Sequence, residues 1–225
     1  MSPSIQLIKK ILLAFEQSTT SIKYNAIYTY DDGPNDTKQI TLSFGITEYG
    51  NLKKFLETYL SKNGQYSKDF LPYISQIGKK SLANNVHFIN LLKESAKDPV
   101  MQQCQEEAYD SMYLIPALSW CEKLNFRLPL SELVIADSFL QSGSILNSLR
   151  NSFSTKPPNC VDGNEKEWIL NYCKARKVWL QNHSRSILHK TVYRMNFMLS
   201  LIEENDWLLS KSLYTANGVK IVANS

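Results

Sequence analysis

The feature that most constrains this fold is a change of hydrophobic period shortly after the first helix. Apolar residues within 4–17 recur at helical spacing, which predicts one amphipathic helix. β-Branched and aromatic residues dominate 26–30 and 39–44, and the segment between them, residues 31–36, is a dense turn signal of Asp, Gly, Pro and Asn. The chain is therefore predicted to begin with a helix that is followed at once by a β-hairpin or by the start of a small sheet.

After Gly50 the pattern is helical almost to the end of the chain. Apolar spacing predicts helices at 51–62, 68–78, 82–96, 99–124, 130–141, 165–182 and 186–204. Residues 218–222 predict a short strand. Because 225 residues suit one domain, we predict a single domain over 1–225, α+β and mostly helical, with a small β-containing lobe at about 24–50.

Composition excludes several classes of function. The formal net charge is +4, but Lys and Arg are scattered rather than gathered in a basic stripe, so we expect no nucleic-acid partner. No apolar stretch approaches the ~20 residues of a membrane span, so no membrane partner is expected. The four cysteines match no paired zinc or redox spacing, and the three histidines form no helical metal pair. We therefore expect neither a metal nor a cofactor, while one disulfide stays open.

The N-terminal apolar run, residues 11–15, is short for the ~7–15 residues of a signal-peptide core, and it ends in Glu16 without a cleavage site. It is interpreted as part of a mature helix. We expect the protein to be made in the cytoplasm and, if its substrate lies outside, to reach the periplasm or the exterior by a non-classical route.

Carboxylates stand at two positions that suit acid–base chemistry. Glu16 lies at the C-terminal end of the first predicted helix, where its charge opposes the helix dipole and costs stability unless it has another role. The hairpin turn offers Asp31, Asp32 and Asp36, and Thr41 on the returning strand could hold a water. Two carboxyl groups, one acid and one base, are what glycosidic bond hydrolysis requires. The same aspartates are also ordinary turn formers, so both interpretations stay open from the spacing alone.

Five segments, in order, carry a resemblance: they lie at 14–18, 30–51, 98–117, 135–143 and 175–194. They begin with Ala-Phe-Glu-Gln-Ser around Glu16 and include Ile-Ala-Asp-Ser-Phe-Leu-Gln-Ser-Gly around Asp137. On these segments the chain resembles glycoside hydrolase family 46, the chitosanases, and more distantly the phage-type lysozymes. The resemblance implies a lysozyme-like, two-lobed α+β fold with an active-site cleft between the lobes.

The resemblance also implies roles for individual residues. Glu16 becomes the general acid of an inverting glycoside hydrolase, and a hairpin aspartate becomes the base. Asp32, beside Gly33, is favoured, while Asp31 and Asp36 remain alternatives because the glycine-rich run of the family is missing here. Further candidates are the water-holding Thr41, the substrate contacts Tyr30, Asn51 and Gln17, and a buried supporting charge network of Asp137, Arg176 and Arg194.

The charge of the chain bears on the substrate. Asn51 stands where chitosanases tend to carry an acidic residue, and the chain is net basic, whereas chitosan is a polycation. Peptidoglycan is anionic and meets a basic protein more favourably. The sequence therefore favours peptidoglycan and a muramidase-like cell-wall hydrolase, such as a delivered antibacterial effector with an immunity or inhibitor protein as partner. The alternatives are a chitosanase and a catalytically inactive glycan-binding or apparatus-associated module.

Overall fold

The computed structural model describes residues 2–223. The chain divides into two compact units: residues 22–110, here called the hairpin unit, and residues 1–21 with 111–225, here called the helical unit. The predicted class is confirmed, since the protein is mostly helical with a small antiparallel sheet near its N-terminus.

The hairpin unit contains a three-stranded antiparallel sheet in the order β1-β2-β3, formed by Ile27–Tyr30, Gln39–Leu42 and Ile46–Thr47. The predicted hairpin is confirmed, and the short third strand was not predicted. A 3₁₀ turn at Pro34–Asp36 joins the first two strands. Its Asn35 and Asp36 adopt φ of 54° and 57°, a left-handed conformation that Asn and Asp tolerate better than most residues.

Four helices complete the hairpin unit: α2 Leu52–Ser61, α3 Ser67–Ile74, α4 Val86–Ser95 and α5 Pro99–Tyr109. Their inward faces pack aromatic rings edge to face, with Tyr59 against Phe70 at 5.8 Å and Phe70 against Phe88 at 6.2 Å between centroids. Edge-to-face contacts at such distances are the preferred arrangement of aromatic pairs. These rings and the buried faces of β2 and β3 give the unit a core of its own.

The helical unit begins with α1, Pro3–Gln17, close to the prediction. The remaining helices are α6 Ile115–Lys123, α7 Pro129–Ser142, α8 Asn147–Arg150, α9 Glu165–Gln181 and α10 Val192–Glu203. A two-stranded sheet of β4 Leu213–Ala216 and β5 Val219–Val222 closes the described chain. The predicted C-terminal strand is thus confirmed, and its partner β4 was missed although Asn217-Gly218 is a strong hairpin turn signal.

Two predicted helices are interrupted. The helix expected at 99–124 changes to a π turn at Asp110–Leu114 before α6 begins. Pro116 explains the break, because it lacks an amide hydrogen and its ring crowds the carbonyl four residues earlier. The helix expected at 186–204 starts instead with a 3₁₀ segment, Ser186–Thr191.

The core of the helical unit is built around Trp168, which is fully buried. Its ring contacts Phe126 at 5.0 Å, Tyr172 at 5.2 Å and Trp120 at 5.9 Å between centroids. The four cysteines are free thiols, so the disulfide left open by the sequence does not form. Within residues 2–223 no helix is long and apolar enough to cross a bilayer.

Candidate active site

The end of α1 positions Glu16. The Tyr193 hydroxyl donates to the Phe15 carbonyl at 2.7 Å, and the Asn217 amide donates to the Ala14 carbonyl at 3.0 Å. Ser18 ends the helix in a left-handed conformation with φ of 52°. These bonds satisfy carbonyls that a helix C-terminus leaves unpaired, so the last turn is fixed. Glu16 therefore projects from a well-anchored element.

Four charged side chains of the helical unit meet in one network. Arg194 bridges two carboxylates, since its Nη2 donates to Glu16 Oε1 at 2.6 Å and its Nη1 donates to Asp137 Oδ1 at 3.0 Å. Arg176 lies 3.8 Å from Asp137 Oδ2 and donates to Gln141 Oε1 at 2.7 Å. Asp137 and Arg176 are fully buried, while the Glu16 side chain is 29% exposed. The network thus runs from the interior to a single solvent-facing carboxylate.

The charges in this network balance. Burial alone would lower the pKa of Arg194, but the neighbouring charges of Asp137 and Glu16 outweigh it and raise that pKa. Two guanidiniums face two carboxylates, which makes the burial of Asp137, Arg176 and Arg194 tolerable although any lone member would be costly. The closest hydrogen-bond partner of Glu16 is thus a guanidinium. The structure brings together the predicted residues Glu16, Asp137, Arg176 and Arg194.

The charge of Glu16 also affects the pKa of Tyr113. Burial raises the pKa of Tyr113 to about 12, and the negative charge of Glu16 adds to the increase. Its hydroxyl therefore stays protonated over the whole range in which carboxylates titrate.

Of the three hairpin aspartates, Asp32 has a side chain that is fixed by a hydrogen bond from another side chain. The side-chain Nε2 of Gln39 donates to Asp32 Oδ1 at 2.9 Å, and the side-chain Oε1 of Gln39 accepts from the backbone amide of Tyr49 at 3.2 Å. Gln39 itself is buried at 6% exposure, so it is a fixed support rather than a mobile contact. Asp31 and Asp36 are exposed, and neither side chain bonds to any residue between 2 and 223. All three carboxylates are exposed, and the hairpin orients Asp32 through the bond from Gln39.

The strand that carries Gln39 is anchored by a carboxylate that the sequence did not single out. Glu48 is 1% exposed and accepts from the Ile40 amide at 3.0 Å and from the Leu82 amide at 2.5 Å. Burial raises the pKa of Glu48, although the two backbone bonds act in the opposite direction. Glu48 thereby ties β2 to the loop before α4 and fixes the strand from which Gln39 and Thr41 project.

The other predicted substrate contacts differ in exposure. Tyr30 is 51% exposed on β1, and Thr41 is partly exposed opposite Tyr28 on β2. The side-chain Oδ1 of Asn51 accepts from the backbone amide of Thr47 at 2.9 Å, which gives this residue a role in the turn before α2. Gln17 is only 7% exposed, so its side chain lies largely out of reach of solvent.

Sequence reasoning missed three supporting residues. Gln39 and Gln141 lie inside the resembling segments, and a buried glutamine next to a charged group is the signal that would have found them. Glu48 has no such signal, because its partners are backbone amides whose positions depend on tertiary structure. No group of three or more His, Cys, Asp or Glu in residues 2–223 is arranged to hold a metal ion.

The profile of glycosyl hydrolase family 46 matches residues 10–213, most of the chain. This protein belongs to glycosyl hydrolase family 46. It is accordingly a glycoside hydrolase, and the suspected relationship to the chitosanases is confirmed. No curated protein matches the chain.

Solved family 46 structures share its fold. The chitosanase of Bacillus subtilis MY002 superposes with a TM-score of 0.80 at 21% identity, covering 98% of both chains. A GH46 chitosanase from Gynuella sunshinyii, solved with chitotetraose, gives 0.80 at 19% identity over 99% of this chain and 98% of that one. Chitosanase OU01, solved with substrate, gives 0.67 at 18% identity over 97% and 94%. At these identities the likeness establishes the fold of this family 46 member.

Proposed function

We propose that this family 46 hydrolase cleaves β-1,4 linkages of chitosan by inversion, with Glu16 as general acid and Asp32 as general base. The observation that carries the proposal is the geometry of Glu16: one carboxylate at a fixed helix end, exposed, and paired through Arg194 to a buried, charge-balanced network. Comparison favours chitosan over the peptidoglycan that the charge of the chain suggested. A glutamate-to-alanine mutant of the Bacillus subtilis MY002 chitosanase was solved with 6 GlcN, and the Gynuella sunshinyii enzyme with chitotetraose.

The proposed reaction uses the two oxygens of Glu16 differently. Oε1 accepts from Arg194, which leaves Oε2 to carry the proton. Glu16 gives this proton to the glycosidic oxygen as the bond from C1 to that oxygen breaks. A water attacks C1 from the opposite face and loses a proton to Asp32. The products are two shorter chains, the new reducing end being of the α configuration.

Arg194 has a carboxylate partner in both protonation states of Glu16. When Glu16 is ionised, the guanidinium bonds to it directly. When Glu16 is protonated, Arg194 keeps Asp137 at 3.0 Å as its counter-charge, but the two guanidiniums then share this one carboxylate. Protonation of Glu16 therefore adds one positive charge to the network, at a side chain that is 29% exposed and reached by solvent.

Asp32 is preferred as base because the Gln39 amide holds one of its oxygens, leaving the other to accept a proton from water. A base must lie within hydrogen-bond reach of its water in a defined orientation, which an unheld side chain provides less well. Asp31 and Asp36 serve as matched controls, since they lie in the same turn without that support.

The test measures reducing-end release from chitosan and from peptidoglycan in parallel. Wild type is compared with Glu16→Gln, Asp32→Asn, Asp31→Asn and Asp36→Asn. We expect release from chitosan, a loss of at least roughly 100-fold for Glu16→Gln and Asp32→Asn, and little change for the two controls. Release of reducing ends from peptidoglycan alone would instead identify peptidoglycan as the substrate. Binding without release on either polymer would identify an inactive glycan-binding module.

The stereochemical part of the proposal needs its own measurement. Proton NMR of the first products from a chitosan oligosaccharide distinguishes the two anomers before they equilibrate. Initial appearance of the α anomer agrees with inversion, whereas the β anomer would require a retaining enzyme and a nucleophilic carboxylate.

A further inference from the structure

A side chain near the end of the chain binds the last turn of α1. The Asn217 side-chain amide carries two protons, and it donates one to the Ala14 carbonyl at 3.0 Å and the other to Ser18 Oγ at 3.1 Å. Glu16 lies midway between these two acceptors in the sequence. Asn217 therefore connects the helical turn that carries the proposed acid to the residue at which α1 ends.

The turn that presents Asn217 is held in one conformation. Strands β4 and β5 are joined by Asn217 and Gly218, whose φ angles are 49° and 76°. A two-residue hairpin turn that follows the twist of its strands requires positive φ at both positions, and Asn tolerates this better than most residues. The inward-facing Tyr214, Ala216 and Ile221 are buried in the core of the helical unit. The donor is thus carried by a hairpin that is itself anchored.

The bonds from Asn217 fix a part of the site that Arg194 does not reach. Arg194 binds the carboxylate of Glu16, whereas Asn217 binds the backbone before it and the side chain of Ser18 after it. Helix ends open more easily than helix centres, and Ser18 has a φ of 52°, which is uncommon for residues other than glycine. A carboxylate moves with the helix end that carries it, and a displacement of about 1 Å can lower a catalytic rate roughly 100-fold.

We propose that Asn217 is a positioning residue for the general acid: its two donated hydrogen bonds keep the last turn of α1 closed, so that Glu16 meets the glycosidic oxygen in a fixed orientation. The proposal rests on the proposed function, in which Glu16 is the acid. Asn217 lies beyond residues 10–213, which the family profile matches, so the profile assigns it no role. It acts on the chemical step through the backbone of α1 and contributes nothing to substrate binding.

The experiment separates the donated bonds from the conformation of the turn. Asn217→Gly keeps the positive φ and removes the side chain, while Asn217→Asp keeps the size of the side chain and replaces the donor by an acceptor. Gly218→Ala is the matched control, because its Cβ meets no atom within 4 Å and strains the turn only through the φ of 76°. For each variant, kcat and KM are measured on a chitosan oligosaccharide. Binding of a glucosamine hexamer is measured by calorimetry in the Glu16→Gln background, and hydrogen exchange of residues 14–18 is measured by mass spectrometry.

We expect both Asn217 variants to lower kcat roughly 10-fold, a partial loss because Arg194 and Tyr193 still hold the helix end, with KM and hexamer binding within about twofold. Exchange at residues 14–18 should become at least roughly 10-fold faster in both, while Gly218→Ala should stay within about twofold of wild type in every measurement.

Three results would overturn the proposal: an unchanged kcat in both Asn217 variants, a loss confined to KM and binding, or an equal loss of kcat in Gly218→Ala. A wild type that releases no reducing ends from chitosan would instead refute the proposed function. The exchange measurement then decides the role of Asn217, because unchanged exchange at residues 14–18 would show that its bonds do not keep the helix end closed.

Discussion

The buried network can be dissected by a double-mutant cycle on Arg194 and Asp137. Arg194→Met removes the guanidinium that bonds to Asp137 at 3.0 Å and leaves the fully buried Asp137 with Arg176 at 3.8 Å. Breaking a buried ion pair from one side costs about 3–5 kcal/mol, and the remaining guanidinium places this variant near the lower end, at about 3 kcal/mol. Asp137→Asn leaves two buried guanidiniums facing each other, so its cost lies near the upper end, at about 4–5 kcal/mol.

The double variant should cost less than the two single variants together. Once Arg194 is absent, removal of the Asp137 charge no longer uncovers a pair of like charges, because only Arg176 remains. Contacting groups in one network couple by about 0.5–3 kcal/mol, and the 3.0 Å bond places this pair in the upper part of that range, near 2–3 kcal/mol. We therefore expect a double variant destabilised by about 5 kcal/mol rather than by about 8 kcal/mol.

The chain provides a convenient assay. All four tryptophans, Trp120, Trp168, Trp179 and Trp207, lie in the helical unit, so tryptophan fluorescence during urea unfolding reports on the unit that holds the network. Lys211→Met is a matched control, since its partner Glu204 is about half exposed and a surface pair contributes below about 1 kcal/mol. Additive single effects, within about 0.5 kcal/mol, would refute the claim that these residues act as one unit.

Two further predictions concern the hairpin unit. Asp98 accepts hydrogen bonds from Tyr59, Val100 and Gln65, which outweigh the effect of burial and lower the pKa of Asp98 below its ordinary value of 3.8. The ionised Asp98 therefore stabilises the fold above pH 3.8, and this contribution disappears on acidification. Asp98→Asn should reduce stability at pH 7 by roughly 1–3 kcal/mol and flatten the acid side of a plot of stability against pH measured by circular dichroism, and an unchanged acid side would contradict this account. Gln39→Ala, which frees the proposed base, should lower kcat on chitosan roughly 10- to 100-fold with little change in KM, whereas a change confined to KM would show that Gln39 does not position the base.

The spacing of apolar, β-branched and turn-forming residues predicted the helices and strands that depend mainly on neighbouring residues. The hairpin followed from β-branched residues around the dense turn at 31–36, and α1 followed from its apolar spacing. The interruption at Asp110–Leu114 was missed because apolar spacing continues through Pro116, whose backbone effect outweighs it. Strand β4 was missed although the Asn217-Gly218 turn that joins it to β5 is a hairpin signal.

The candidate site was predictable to a similar extent. Segment resemblance was enough to name Glu16, Asp137, Arg176 and Arg194, which the structure brings into contact. It was not enough to choose among the hairpin aspartates, since all three are equally good turn formers. The choice depends on Gln39, which lies seven residues after Asp32 and reaches it only because β1 and β2 pair in the observed register. Such a contact depends on strand pairing and cannot be predicted from the spacing of residues in the sequence.

The network also separates what stabilises this protein from what it uses in catalysis. Glu16 is its only solvent-facing member; its charge opposes the α1 dipole by about 0.3–1 kcal/mol, while the same charge pairs with Arg194. Asp137 and Arg176 are fully buried, and each depends on the other charges. Arg194 connects the two parts, because it neutralises Asp137 in the interior and holds Glu16 at the surface. A solvent-facing acid that is held by buried groups can exchange its proton with a substrate while the surrounding structure stays fixed.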